Sequence, residues 1–300
     1  MTDQASLTAL MSLYARAFHT QNDRPLIFED TLARQLMTDE EYAQVGRYLL
    51  SGRDFFSDPG AELPAGEAAV GCIVRGQLAP TPLARARFCA DALANERRLG
   101  ATQYVVLGAG MDTSAFGSGA DGMQVFEVDH PATQAEKLRR VRRAGWTVPE
   151  RVHFVPVDLS RDELTERLLA AGLDPHARTF FTWLGVTYYL TGEEIGRTLS
   201  SLDRLVAEGS AVAFDYPAAG LLESDVLRVR RMRMMAEAGG EPMRAGRSEA
   251  EWATLLQVHG FLLYENLTDA DIERRYFAGR TDGLHAFEQG TLALAVRKAV

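Results

Sequence analysis

The spacing of apolar positions changes character near residue 100. Before it, apolar residues recur every three or four positions. In SLTALMSLYARAF (residues 6–18), Leu7, Leu10, Met11, Tyr14 and Phe18 share one helical face. Two further helical pieces are expected on either side of Asp39 within residues 30–50, and residues 51–69, rich in Gly, Pro and Ser, read as a loop. PLARARFCADALANERRLG (82–100) predicts an amphipathic helix with Leu83, Phe88, Ala92 and Leu93 facing a core.

After residue 100, short apolar runs alternate with helix-patterned stretches. YVVLG (104–108), MQVFEVD (123–129), VHFVPVDL (152–159) and SAVAFDYP (210–217) read as strands, and RTFFTWLGVTYYL (178–190) as a strand running into a loop. Helices are expected between them, the one at 160–172 opened by a capping box of Ser160 and Glu163. This rhythm predicts a parallel sheet with helices on both faces. A helix at 249–260 and strand-like FLLYENL (261–267) and TLALAVRK (291–298) then predict a closing antiparallel pair at the sheet edge. The expectation is an α/β fold with a mostly parallel, seven-stranded sheet. Residues 1–99 would form a helical N-terminal cap and substrate region, and 100–300 a ligand-binding core.

Bulk properties narrow the class. With 300 residues, 46% hydrophobic and 24% charged, the chain has an ordinary soluble composition. No apolar run approaches the ~20 residues of a membrane span, and the N-terminus lacks the pattern of a secretory signal. Cys72 and Cys89 have no metal-site spacing, so reduced thiols in a cytoplasmic protein and no metal are expected. A net charge of −9 argues against a nucleic-acid partner.

The candidate chemistry starts with YVVLGAGMDT (104–113) and VFEVD (125–129). An apolar run, Gly-x-Gly, and an acidic residue after a second apolar run is how an α/β sheet binds a nucleoside. Gly108 and Gly110 let the backbone turn tightly and approach a ligand, while Glu127 and Asp129 stand where carboxylates accept ribose hydroxyls. Two cofactors compete. A dinucleotide site wants a small residue where Thr113 stands, and usually opens the fold, whereas here about a hundred residues precede the motif. S-adenosylmethionine has no pyrophosphate to place against a helix N-terminus. Both points favour S-adenosylmethionine over NAD(P).

Six segments carry a family likeness: ARARF (84–88), LGAGMDT (107–113), FEVDHP (126–131), PVDL (156–159), FFTWLGVTYYLT (180–191) and RYFAGRTDGL (275–284). In this order the chain resembles the leucine carboxyl methyltransferase family, and within it the bacterial branch of small-molecule O-methyltransferases of polyketide and other secondary metabolism. The resemblance implies a Rossmann-like class I methyltransferase core. It implies that Arg85 pairs with the cofactor's methionine carboxylate, with Arg87 as fallback. Gly108 and Gly110 would pass beside the methionine, Asp129 would accept the ribose with Glu127 as helper, and Asp158 and Leu159 would flank the adenine. Members that methylate a protein C-terminus keep an early Lys and a Glu at the end of the fourth strand. Here ASLTALMSL (5–13) has no Lys and Leu184 stands at the Glu position, which favours the small-molecule branch.

The implied reaction is methyl transfer to a carboxylate or hydroxyl of a small metabolite. A carboxylate needs no base and a hydroxyl does. The six histidines are scattered, and His130, next to Asp129, reads best as a loop or supporting residue, so no catalytic base is assigned. Tyr188, Tyr189 and Tyr216 follow strands whose carboxyl ends bind ligands in such sheets, and Tyr188 is the candidate for the acceptor pocket. Trp183 reads as core. The basic runs KLRRVRR (137–143) and RVRRMRMM (228–235) read most simply as solvated helix faces. The sharper reading is a dock for an acidic carrier protein presenting a tethered acceptor. Two rivals stay open: an NAD(P)-dependent oxidoreductase and a non-catalytic S-adenosylmethionine-binding protein.

Overall fold

The computed structural model describes residues 7–298 except 61, 160 and 245, with helices first and a sheet after them. α1 (Leu7–Asn22), α2 (Asp39–Ser51), α3 (Arg53–Phe56), α4 (Glu67–Ile73) and α5 (Pro80–Arg98) precede the first strand. α2 starts where Thr38 and Glu41 satisfy each other's backbone amides in a capping box. α5 starts on a proline, which lacks only an N–H that a helix terminus leaves unused. The expected loop at 51–69 is broken by α3 and by the first turn of α4. Its two aromatics explain the first: Phe55 and Phe56 meet edge-on at 5.0 Å and Phe56 packs on the core.

The strands are β1 (Gln103–Leu107), β2 (Gln124–Asp129), β3 (Val152–Pro156), β4 (Thr179–Trp183), β5 (Ala211–Pro217), β6 (Phe261–Leu267) and β7 (Gly290–Arg297). Their order across the seven-stranded sheet is β3-β2-β1-β4-β5-β7-β6. β1 to β5 run parallel, and β7 is antiparallel to both neighbours. α6 (Pro131–Arg143), α7 (Leu164–Ala170) and α8 (Gly192–Leu205) are the crossovers. α9 (Leu227–Ala238), α10 (Glu249–Val258) and α11 (Asp269–Ile272) follow the later strands. This is the mostly parallel α/β sheet with a closing antiparallel pair that the alternation predicts.

β1 and β4 are buried along their whole length, as central parallel strands are. Alternate residues of β1 enter different cores. Tyr104 and Val106 join Leu13, Val74 and Leu83 of the N-terminal region, while Val105 and Leu107 join Leu168, Leu199 and Trp252. One sheet face therefore shares its core with the N-terminal helices.

As expected of a strand that runs into a loop, β4 stops at Trp183, where Gly185 turns the chain at φ +73° into a short 3-10 turn over Thr187–Tyr189. One element differs from expectation. α7 begins at Leu164, and Glu163 at its N-cap makes no side-chain cap bond; its expected partner Ser160 lies outside the described residues.

A buried cation ties the N-terminal region to α6. Arg140, 4% exposed, donates to the Leu36 carbonyl at 2.9 Å and to Glu41 at 2.9 Å. Burial pushes the Glu41 carboxyl up, but the Thr38 amide and Arg140 outweigh it and hold the pKa at about 2, below its ordinary 4.5. Arg140→Met should cost about 2 kcal/mol, less than the roughly 3–5 kcal/mol of a fully buried pair because Glu41 keeps some water. The Glu41 contribution is complete above its unfolded pKa of 4.5 and is lost as pH falls through about 2. Urea unfolding should therefore show the gap between wild type and Arg140→Met narrowing over that acid window.

Candidate functional site

Parallel strands deliver all their carboxyl ends to one edge, and the candidate residues lie along it in strand order. At the end of β1 the chain turns through Gly108 at φ +69° and Gly110 at φ +48°. The amides of Gly108 and Ala109 donate to the Val128 carbonyl at 2.8 and 3.1 Å, which stitches the turn to β2. A Cβ on Gly108 would lie 2.3 Å from Val186 Cγ2, and one on Gly110 would lie 3.3 Å from Ala9 Cβ. The close approach that glycine allows is thus used by the segment after β4 and by α1. Thr113, standing where a dinucleotide site wants a small residue, donates to Asp30 at 2.9 Å. Asp30 also accepts from Arg16, whose other end donates to the Met111 carbonyl at 2.7 Å.

Asp129 ends β2 and points into this turn. Its carboxylate accepts from the Gly110 amide and, at 2.7 Å, from the His130 amide. Burial pushes its pKa up against the pull of these amides. Each oxygen keeps a further lone pair for a ligand hydroxyl. His130 uses Nδ1 to accept from the Ala132 amide and caps α6.

Glu127 does not stand beside Asp129 at the edge. Its Oε2 accepts from Lys137 Nζ at 2.5 Å, both side chains are 1% exposed, and Oε1 has no partner among the described residues. Burial drives the Glu127 pKa up to about 7 in spite of Lys137. The pairing of two carboxylates on one ribose expected from the spacing meets a physical obstacle here. One carboxylate is at the edge, and the other is sealed under it by a lysine.

Asp158 and Leu159 follow β3, held beside β2 by a 2.8 Å bond from the Val157 amide to the Asp129 carbonyl. The Asp158 amide donates to Asp162 at 2.8 Å, Arg161 lies 3.8 Å from its carboxylate, and Leu159 packs on the core.

On the other side of the turn, α5 projects Arg85 towards the ends of β4 and β5. Arg85 donates to Asp215 Oδ2 at 2.5 Å, and Asp215 Oδ1 accepts from the Gly185 amide at 2.6 Å. The guanidinium lies over the Tyr188 ring, 5.3 Å from its centroid. Its Nη1 covers bare Gly185, where a Cβ would sit 3.1 Å away. Arg87, the fallback, is about half exposed and pairs with Asp91 on the surface. The sequence reasoning did not single out Asp215, although an aspartate closing a fifth parallel strand in AFDYP was a visible signal. Tyr188 is 4% exposed, and burial raises its phenol well above the ordinary range. It lines a small cavity of about 20 Å³ with Ala84, Asp215 and Phe287. Tyr216 turns to the opposite sheet face, stacks near Trp252 and donates to Asn266 at 2.8 Å.

The basic runs are largely committed to internal partners. Lys137 and Arg140 are buried and paired, Arg139 pairs with Glu136, Arg228 with Glu288 and Arg231 with Asp58. Among the described residues no helix is long and apolar enough to cross a membrane and no group of side chains forms a metal site.

Carboxylates on β2 and β3, a bare turn after β1, and a guanidinium near β4 and β5 suit a long ligand with hydroxyls and an amine at one end and a carboxylate at the other. Comparison with known proteins gives the family. The profile of the family described as Leucine carboxyl methyltransferase matches residues 9–203. A protein of Bacillus subtilis (strain 168), provisionally named S-adenosyl-L-methionine-dependent methyltransferase YktD, is 40% identical over 302 residues, covering 99% of each chain. One from Mycobacterium ulcerans (strain Agy99), with the same provisional activity, is 29% identical over 245 residues, 80% of this chain and 74% of that one. In fold, the chain is similar to a DUF574 family protein from Streptomyces avermitilis (TM-score 0.57, 19% identity, covering 82% of this chain and 97% of that one). It is also similar to a provisionally described methyltransferase from Thermobifida fusca (TM-score 0.55, 12% identity, covering 99% and 96%).

Gly108 is the most constrained position of the site. Gly108→Ala should destabilise by about 2–4 kcal/mol, combining roughly 1–2 kcal/mol for a left-handed backbone with overlap on Val186. Urea unfolding of the double variant Gly108→Ala/Val186→Ala should recover the overlap part and leave the backbone part.

Proposed function

We propose, for a chain that belongs to the leucine carboxyl methyltransferase family and is an S-adenosylmethionine-dependent methyltransferase, that the methyl group goes to a carboxylate or hydroxyl oxygen of a small metabolite. The observation that carries the reading is the order of groups along the sheet edge: Asp158, Asp129, the Gly108–Gly110 turn, then Arg85. In this assignment Asp158 accepts from the adenine amine and Leu159 covers the ring. Asp129 accepts the ribose hydroxyls, and the glycine turn lies along the methionine. Arg85, oriented by Asp215, offers its remaining N–H groups to the carboxylate.

When bound, the cofactor supplies an electrophilic methyl on a sulfonium. The chain's own task is to align the acceptor and keep water out. α1, lying on the glycine turn through Ala9, closes one side, and residues 1–99 act as the cap. Tyr188 closes another side. Its raised pKa keeps the phenol neutral near pH 7, so it donates a hydrogen bond to an acceptor oxygen and does not take a proton from it. In this assignment the edge carboxylates Asp129 and Asp215 are committed to the ribose and to Arg85, which fits an acceptor that arrives as a carboxylate and needs no base. Leu184 at the end of β4, in place of a Glu, supports a small-molecule acceptor over a protein terminus.

Two measurements test this. Asp129→Ala should weaken S-adenosylhomocysteine binding by roughly 1.5–3 kcal/mol by calorimetry, the worth of a hydrogen bond to a charged group. Glu127→Gln should leave that affinity nearly unchanged because Glu127 faces Lys137. For the acceptor, the enzyme is supplied with S-adenosylmethionine and panels of small carboxylic acids, phenols and C-terminal peptides. Base-labile methyl esters of small acids are the expected product; turnover confined to peptides would overturn the proposal.

A further inference from the structure

An open cavity of about 350 Å³ lies against α9, with Arg230, Met234 and Glu237 exposed along it. Arg230, Arg233, Met234 and Glu237 line it at helical spacing from one face of α9. Leu222 and the Pro242–Met243 segment close the other sides. The opposite face of α9 is anchored, with Val229 and Ala236 buried, Arg228 paired to Glu288 and Arg231 paired to Asp58. The lining face is different. Arg233 donates to the Leu222 carbonyl. The Arg230 side chain makes no hydrogen bond or ion pair among the described residues, and neither arginine pairs with Glu237. Two guanidinium groups against one carboxylate leave the lining with a net single positive charge.

The segment that closes the cavity is bonded on either side to elements of the methyl-transfer edge. α9 follows β5, so it lies beyond the carboxyl end of the sheet. Past Met243, the Arg244 amide donates to the Tyr188 carbonyl at 2.7 Å, and Tyr188 is the ring beneath Arg85. Just before Pro242, Glu241 accepts from Thr8 of α1, next to Ala9 on the glycine turn.

We propose that this cavity holds the non-reacting tail of the acceptor: an apolar body ending in a monoanionic carboxylate that pairs with Arg230. The inference rests on the methyl-transfer reading, because it places the reacting oxygen at the other end of the same molecule. A guanidinium fork matches a carboxylate in two parallel hydrogen bonds. The methionines, Leu222 and Pro242 supply the apolar wall, the methionines adjusting to its shape. The single net positive charge suits one carboxylate better than a doubly charged phosphate.

The test uses the full chain saturated with S-adenosylhomocysteine, and phenylbutyrate, phenylbutanol and phenylpropyl phosphate as probes in calorimetry. Phenylbutyrate should bind more tightly than both others. Arg230→Gln should weaken it about tenfold, as expected for a lost charged hydrogen bond. Glu237→Gln should tighten it, while phenylbutanol responds to neither change. Equal binding of acid and alcohol, changes of the same sign in the two variants, or preference for the phosphate would each overturn the proposal. Absence of phenylbutyrate binding with S-adenosylhomocysteine still bound would overturn it and leave the methyl-transfer reading standing. Failure of S-adenosylhomocysteine to bind the wild-type chain would remove both.

Discussion

The turn after β1 cannot carry a side chain at Gly108, and the rest of the site is arranged around that fact. A Cβ there would meet Val186 at 2.3 Å, and the positive φ would strain any L-residue in addition. The same turn receives Asp129 from β2 through the Gly110 amide, Val186 from the segment after β4, and Ala9 from α1. Three elements distant in sequence converge on a few backbone atoms. With β1, which pairs with β2 on one side and β4 on the other, the turn links the carboxylate end of the edge to the guanidinium end.

Charge is placed with similar economy. The chain is acidic overall, yet three of its buried or partly buried cations stand at seams. Arg140 joins α6 to the N-terminal region, Arg16 joins α1 to the glycine turn, and Arg85 joins α5 to β5. Each meets an aspartate or glutamate, and Arg140 and Arg16 a backbone carbonyl as well. Such pairs contribute little net stability, since desolvation offsets much of the attraction. Their value is that a wrong docking of the helices would leave a charge buried without a partner. Lys137 and Glu127 follow the same logic beneath the site, where the unpartnered Oε1 and the raised Glu127 pKa show how close that pair is to its limit.

What could be read along the chain depended on the range of the interaction. Strand and helix periodicity is local, so the parallel strands, the glycine turn and the antiparallel closing pair were all legible. The Gly-x-Gly and the acidic end of β2 were legible too, because strand-end position alone brings them together. Pairing across the fold was not. The motif FEVD shows two carboxylates two residues apart, but only the structure shows that Lys137 claims one of them. RVRRMRMM reads as one basic run, yet helical geometry sends Arg228 and Arg231 inward to Glu288 and Asp58 and leaves Arg230 facing the cavity. The loop after β4 was legible, but not that the Gly185 amide in it would donate to Asp215, the partner of Arg85, on a later strand.

The two halves of the chemistry are carried by different parts of the chain, and this bears on how the acceptor is chosen. Groups assigned to the cofactor sit on strand ends and on α5, where the sheet and a shared core hold them rigidly. Groups facing the cavity sit on α9 and its flanking segments, which meet α1 through the Thr8–Glu241 bond. A hydrogen bond of this kind contributes only about 0.5–1.5 kcal/mol, so this seam adds little beside the far face of α9, which Arg228–Glu288 and Arg231–Asp58 hold. In the proposed assignment the methyl donor's surroundings belong to the sheet and α5, and the acceptor wall to a separate helix. Change at Arg230, Met234 or Met243 alters what the wall accepts without touching the glycine turn. In the proposed assignment the acceptor is therefore read from α9 and not from the fold, which by itself serves many chemistries.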